Sequence, residues 1–398
     1  MSERLKIPNN FAINEGVFRE GQQALHPNPQ RKRQGVVFTR NEQLSITELL
    51  MRAGIDIVEL GAPVDSPYAV ETARALIDLV NPTNTVIAFH GRCKRGDLDA
   101  MVEASSNAQH KLFNLYIGTS PENRNGNGGR SIEATIDKAL GAILYLREKS
   151  KGALIRFSTE DAFRTPRKDL LAVLQKVAPH VDRIGLPDTT GKSYPEDVYD
   201  TFQWVMSQIP GKEWEFHGHT DRGLGVEPYR AALRAGANVF STSLLGLGER
   251  TGSASTSAFF AAIYNDDTAA RLSDKYDLTM LPVIDRTVAN TLRIPIPHTN
   301  PLTADGAFTH GAGVHYNAHK RDNGAYSGFD PHDFGRTYDY IVASAVVGGA
   351  TIMDYAADRG YTVPVEIAKE IAGRVREQAR LNGGVTEEQV HVILNDYL

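Results

Sequence analysis

One cysteine, Cys93, occurs in 398 residues, which excludes an internal disulfide framework and any metal site built from several thiolates, and fits a reducing cytoplasm. No window approaches the roughly eighteen consecutive apolar residues of a membrane span. The opening Met-Ser-Glu-Arg-Leu-Lys has no apolar stretch behind its charges, so a cytoplasmic protein without leader or membrane anchor is expected. Excess positive charge is missing too: a formal net charge of −5 offers no general attraction to nucleic acid or an anionic membrane. What remains is an ordinary composition, 41% hydrophobic and 23% charged, with length enough for one large domain plus appendages. Small-molecule chemistry is the class left standing.

Short β-branched or aromatic runs alternate with longer amphipathic stretches, the pattern of βα units around a parallel sheet. The first candidate strand lies within 10–18. Asp56–Leu60, Thr85–His90, Leu112–Gly118, Ala153–Ser158, Arg183–Leu186, Glu213–His219 and Val239–Leu244 follow. Helical periodicity separates them, for example over Ile132–Leu146 and Pro228–Ala235. Eight units over about 265 residues predict a (β/α)₈ TIM barrel of α/β class. An open doubly wound sheet is the alternative, weakened because no Gly-x-Gly-x-x-Gly follows the first strand.

In Trp-Glu-Phe-His-Gly-His-Thr-Asp, His217 and His219 are two apart on a predicted strand, so both imidazoles project from one face. A divalent ion also wants an anionic oxygen and an open position, and Glu20, just past the first strand, is the candidate. The alternative for each motif alone, packed histidines and a plain Arg19–Glu20 ion pair, stays open at this point. Polar residues recur on or just past the C-terminal ends of the other strands, where a barrel carries its chemistry: Glu59, His90 and Arg92, Thr119-Ser120, Arg156, Glu160-Asp161, Asp188-Thr189-Thr190 and Glu249-Arg250.

Taken in order, Arg19-Glu20-Gly21-Gln22-Gln23, Phe157-Ser158-Thr159-Glu160-Asp161, Asp188-Thr189-Thr190-Gly191, His217-Gly218-His219 and Gly246-Leu247-Gly248-Glu249-Arg250-Thr251-Gly252 resemble the successive motifs of the metal-dependent Claisen-condensing barrels. These are the homocitrate, isopropylmalate, citramalate and Re-citrate synthases, with the acyl-CoA lyases as relatives. Glu at position 20, where most members carry Asp, looks most like the homocitrate synthases. The resemblance implies Glu20, His217 and His219 as metal ligands, with Mg²⁺, Mn²⁺ or Zn²⁺ bound. It further implies Arg19 at the keto oxygen, Thr189 at the 2-oxo-acid carboxylate, and Gln23 and Arg156 in the same pocket. His90 and Arg92 would meet a second acidic group, and Glu59, His315 and Tyr326 would act in catalysis, His315 and Tyr326 from a lid behind the barrel.

The chemistry implied is condensation of acetyl-CoA with a 2-oxo acid, followed by thioester hydrolysis that releases CoA. His315 is the expected proton acceptor, an imidazole being the side chain most often used for that role. A doubly acidic oxo acid is expected: 2-oxoglutarate, oxaloacetate, or a phosphono- or phosphinopyruvate. The rivals are an acyl-CoA lyase cleaving a 3-hydroxy-acyl-CoA, and a barrel that binds a metabolite without catalysis. A lyase relies on a cysteine in the glycine-rich loop after the last strand, and Gly248–Gly252 has none.

The predicted organisation is a barrel over 1–270, a linker and lid segment over 271–335 and a helical module over 336–398, with helices at Val342–Ala357, Pro364–Leu381 and Thr386–Leu398. Ile294-Pro295-Ile296-Pro297 and Asn300-Pro301 read as extended linker. The resemblance implies a homodimer in which the lid serves the partner's barrel. Three stretches depart from the family: Leu25–Phe38 with Arg31-Lys32-Arg33, read as a solvated charge run; Asn123–Gly129, read as a flexible loop; and the surroundings of Ala345–Gly349.

Overall fold

The computed structural model describes residues 5–398. Eight parallel strands close into a barrel in sequence order: β1 Ala12–Glu15, β2 Ile57–Leu60, β3 Val86–Arg92, β4 Lys111–Gly118, β5 Leu154–Glu160, β6 Arg183–Asp188, β7 Glu213–Gly218 and β8 Val239–Thr242. β1 pairs with β8 as well as β2, so no edge remains. The barrel expectation is correct, and the open sheet is excluded.

Period-two alternation sorts each strand into interior and exterior faces. At the floor of the barrel Ile57, Ala88, Leu112 and Val239 pack together. Two residues further along, the interior positions are Asn14, Glu59, Asn114, Arg156 and Glu215, all buried. Such charges are tolerable inside only if paired, and they are. Asn14 Nδ2 donates to Glu215 at 3.0 Å, while Arg156 Nε and Arg183 Nη1 lie 3.1 and 3.3 Å from Glu215 Oε2. Gly185 makes room for this layer, because a Cβ there would fall 2.7 Å from Arg156 Nη2 and 2.4 Å from Ser158 Oγ.

The outer helices carry their own signals. In Arg40–Arg52 the buried residues Gln43, Ile46, Thr47 and Leu50 fall at i, i+3, i+4 and i+7, and Thr39 with Glu42 forms a capping box. β1 is shorter than its predicted span because the chain turns at Gly16, whose carbonyl accepts the N–H groups of Arg19 and Glu20. Asn123–Gly129 is corrected: Pro121–Gly126 is a helix capped by Ser120, and Arg124 binds the carbonyls of Thr119 and Arg130 and the carboxylate of Asp169.

Glu15, one residue beyond the interior Asn14, is buried, and accepts the N–H groups of Val17 and Leu244 and the Thr256 hydroxyl. Burial outweighs these bonds and pushes its carboxyl up from 4.5 to about 8. Within that window the native state holds a proton that the unfolded chain has released, so this group makes stability fall as pH rises. Glu15→Gln keeps an acceptor for both N–H groups and cannot titrate. Its melting temperature relative to wild type should therefore rise between pH 5 and pH 8, and a difference that stays constant across that range would contradict the assignment.

The chain divides into two compact units, one running to Thr303 and one from Ala304 to Leu398. Helices Ala269–Lys275 and Leu281–Leu292 belong to the first, within the stretch expected to begin the linker. In the second, helices Gly349–Ala357, Val365–Asn382 and Glu387–Asn395 bury a core that includes Ile352, Ile371, Val375 and Leu394. The helix expected from Val342 begins only at Gly349: Gly348 is extended and lies against Gly313, with a Cβ on it 3.1 Å from the Gly313 Cα. Among the described residues no helix is long and apolar enough to cross a membrane.

Candidate metal centre and substrate pocket

At the C-terminal mouth of the barrel, His217 ends the interior row of β7, and His219 follows with the same parity, its backbone bridged to Ser253. Their rings lie 5.1 Å apart between centroids at 83°. Glu20 reaches between them: His217 Nε2 is 3.6 Å from one carboxylate oxygen and His219 Nε2 is 3.6 Å from the other. One ligand atom from each residue lies within 4.8 Å of the other two, and all three side chains are buried. Gly248 lets the carboxylate sit there, since a Cβ would fall 2.9 Å from its Oε1.

The electrostatics suit a cation. Burial opposes ionisation of Glu20, yet Arg19 and the two imidazoles hold its carboxyl down at about 2. Burial, with Arg19 adding to it, keeps His217 neutral, and burial with Arg250 and Arg19 lowers His219. The set is one anion and two lone-pair donors, as a divalent ion requires. At 3.6 Å the contacts are too long for hydrogen bonds. Donors about 2.1 Å from a shared ion stand about 3.0–3.4 Å apart, close to the spacing here. These residues fit a metal, and its identity is open among Mg²⁺, Mn²⁺ and Zn²⁺.

Arg19 connects this cluster to the interior layer. It donates through Nη1 to Glu20 and through Nε to Glu59 at 2.7 Å. Glu59 is fully buried. Despite burial, Arg19, His90 and Arg156 keep it ionised, well below the usual carboxylate range, and the amides of Asn14 and Asn114 donate to it. His90 Nδ1 is 3.5 Å from Glu59 and Arg156 Nη1 is 3.9 Å. Burial and Arg19 depress His90.

A cavity of about 300 Å³ opens above, lined by Arg19, Glu20, Gln23, His90, Arg156, Thr189, His217 and His219 among others. That volume, at the low end for ligand sites, suits a small acid. Arg92 is not brought to it: Asp97 grips its guanidinium at 2.8 and 2.9 Å. Thr189 Oγ accepts the Asp161 N–H at 2.9 Å. Arg250 pairs with Asp221 rather than with Glu249. Cys93 lies buried outside this cavity, its thiol pushed up to about 12 by burial. Tyr116, Ser158 and Pro187 also line the cavity and were not anticipated. In the second unit, His315 and Tyr326 stack with centroids 4.1 Å apart, and His310 lies 5.9 Å from His315.

A closed parallel barrel with a two-histidine, one-carboxylate cluster at the C-terminal ends of its strands defines a metal-dependent TIM-barrel enzyme acting on a small acid. The chain belongs to the HMGL-like family, whose profile matches residues 11–288; a homocitrate synthase post-HMGL domain-like profile matches 302–382. The mitochondrial homocitrate synthase of Schizosaccharomyces pombe is 31% identical over 397 residues, covering 100% of this chain and 90% of that one. The cytosolic homocitrate synthase isozyme of Saccharomyces cerevisiae is 30% identical, covering 93% and 82%. The solved HMG-CoA lyase of Bacillus subtilis superposes with a TM-score of 0.58 at 18% identity, covering 75% of this chain and 98% of that one, a likeness of fold. The protein is a homocitrate/isopropylmalate synthase-like acetyltransferase that joins acetyl-CoA to a 2-oxo acid, in a metal-dependent family.

Proposed function

We propose that the 2-oxo acid is doubly acidic and that Glu20, His217 and His219 hold the divalent ion. The observation that carries the reading is the convergence of Arg19, His90 and Arg156 on one buried carboxylate, Glu59, beside the ligand cluster. Three basic side chains on one wall are more than a single carboxylate substrate needs.

When bound, the ion supplies Lewis acidity and orients the oxo acid. Arg19, fixed by Glu59 and Glu20, presents positive charge where the keto oxygen gains negative charge. Thr189 and Gln23 hold the adjoining carboxylate, and His90 with Arg156 meets the second acidic group. His315 takes a proton from the acetyl methyl, oriented by the stacked Tyr326. The methyl carbon then bonds to the keto carbon, the former keto oxygen is protonated, and water cleaves the thioester to release CoA. Glu59, surrounded by donors, serves by holding Arg19 and His90 in place. The enzyme works as a cytoplasmic homodimer whose lids are exchanged.

A thiol-release assay with acetyl-CoA and a panel of oxo acids tests this. Turnover should be confined to doubly acidic acids such as oxaloacetate, 2-oxoglutarate and phosphonopyruvate. Activity only with pyruvate or 2-oxoisovalerate would refute it.

A further inference from the structure

We infer that Tyr116 gauges the length of the oxo acid, so that the enzyme selects substrates whose second acidic group sits one carbon from the keto carbon. The inference rests on the doubly acidic reading above and narrows it.

Charge placement comes first. Of the two basic residues at the end of β3, only His90 faces the cavity, since Arg92 is held by Asp97. The basic groups that remain are crowded together: Arg19, His90 and Arg156 lie 2.7, 3.5 and 3.9 Å from Glu59. Arg19 bonds Glu20 with the same guanidinium, so one side chain spans the gap between the ligand cluster and the basic cluster. An acid whose two charged ends must satisfy both clusters is short.

Shape agrees. Tyr116 is an interior residue of β4, in register with Arg92 and Ser158, and its ring stacks on His90 at 4.5 Å and 15°. One face of the imidazole is therefore covered, and the volume beside it is filled by phenol. Further up β5, Glu160 lines the same cavity, partnered in register with Gly118. A longer chain would drive its terminal anion onto the Tyr116 ring and toward that carboxyl group. Two hydroxyls stand ready for a short one: Tyr116 has no hydrogen-bond partner among the described residues, and the Ser158 Oγ is buried without one.

The test compares kcat/KM for oxaloacetate and phosphonopyruvate with that for 2-oxoglutarate, in wild type, Tyr116→Val and Tyr116→Phe. Wild type should favour a short acid by about tenfold or more, the discrimination a misfitted methylene gives. Tyr116→Val should move the ratio about tenfold or more toward 2-oxoglutarate, chiefly through KM, and Tyr116→Phe should keep the wild-type order because the ring does the excluding. A wild type that prefers 2-oxoglutarate, or a Val variant with an unchanged ratio, overturns the inference while leaving the doubly acidic reading intact. Turnover of monoacids alone overturns both. Should the Val variant not fold, Tyr116→Leu and the wild-type ratio decide.

Discussion

Glu20→Ala and His217→Ala are expected to yield folded protein with neither bound metal nor turnover. Glu20 is the only anion of the three-residue cluster, so its removal leaves two neutral imidazoles beside the guanidinium of Arg19, a field that repels a cation. Loss of even an outer partner of a metal ligand costs about 10–100-fold in affinity or activity, and loss of a ligand costs more. Metal content by mass spectrometry and CoA release should fall together, activity by about 10³-fold or more, the equivalent of several kcal/mol of lost Lewis-acid stabilisation. Chelation of wild type should reproduce the loss, and add-back of Mg²⁺, Mn²⁺ or Zn²⁺ should identify the ion that restores it. Full metal occupancy in Glu20→Ala would end the ligand assignment.

The barrel was legible because each strand is a short β-branched or aromatic run bounded by turn residues, and eight of them leave few alternatives. Glu20, His217 and His219 were legible for a related reason: positions two apart on a strand share a face, and the Glu20 motif lies at another strand's end. Arg92 shows the limit. It has the parity of His90, but Asp97, five residues on at the start of the next helix, captures its side chain, and parity says nothing of which neighbour wins a guanidinium. Tyr116 sits in Leu112-Phe113-Asn114-Leu115-Tyr116-Ile117, where an aromatic reads as core until the register places it beside His90. Asn14, Asn114 and Glu215 were overlooked because each looks unfavourable in a buried strand alone. Only the closed barrel brings their charges and amides together. The Asn123–Gly129 segment misled through composition, since Ser120 capping and three Arg124 bonds order a run rich in Asn and Gly.

His315→Ala is expected to keep its metal and lose about 10²–10⁴-fold in turnover, the range for a missing proton acceptor. Its pairing with Glu20→Ala tests the assembly as well. The two residues lie in different compact units, Glu20 before Thr303 and His315 after it, so each variant removes a proposed functional group from a different unit. If the lid serves the partner's barrel, a mixed dimer has one site carrying both defects and one carrying neither. Random reassociation makes about half of all dimers mixed, so equal amounts of the two inactive proteins should recover roughly a quarter of wild-type activity. If the lid closes on its own barrel, every site in the mixture keeps one defect and no activity returns. Recovery requires subunit exchange, which tagged copies of the two variants can verify by co-purification. Co-purifying but inactive mixed dimers would exclude lid exchange and leave the metal cluster untouched.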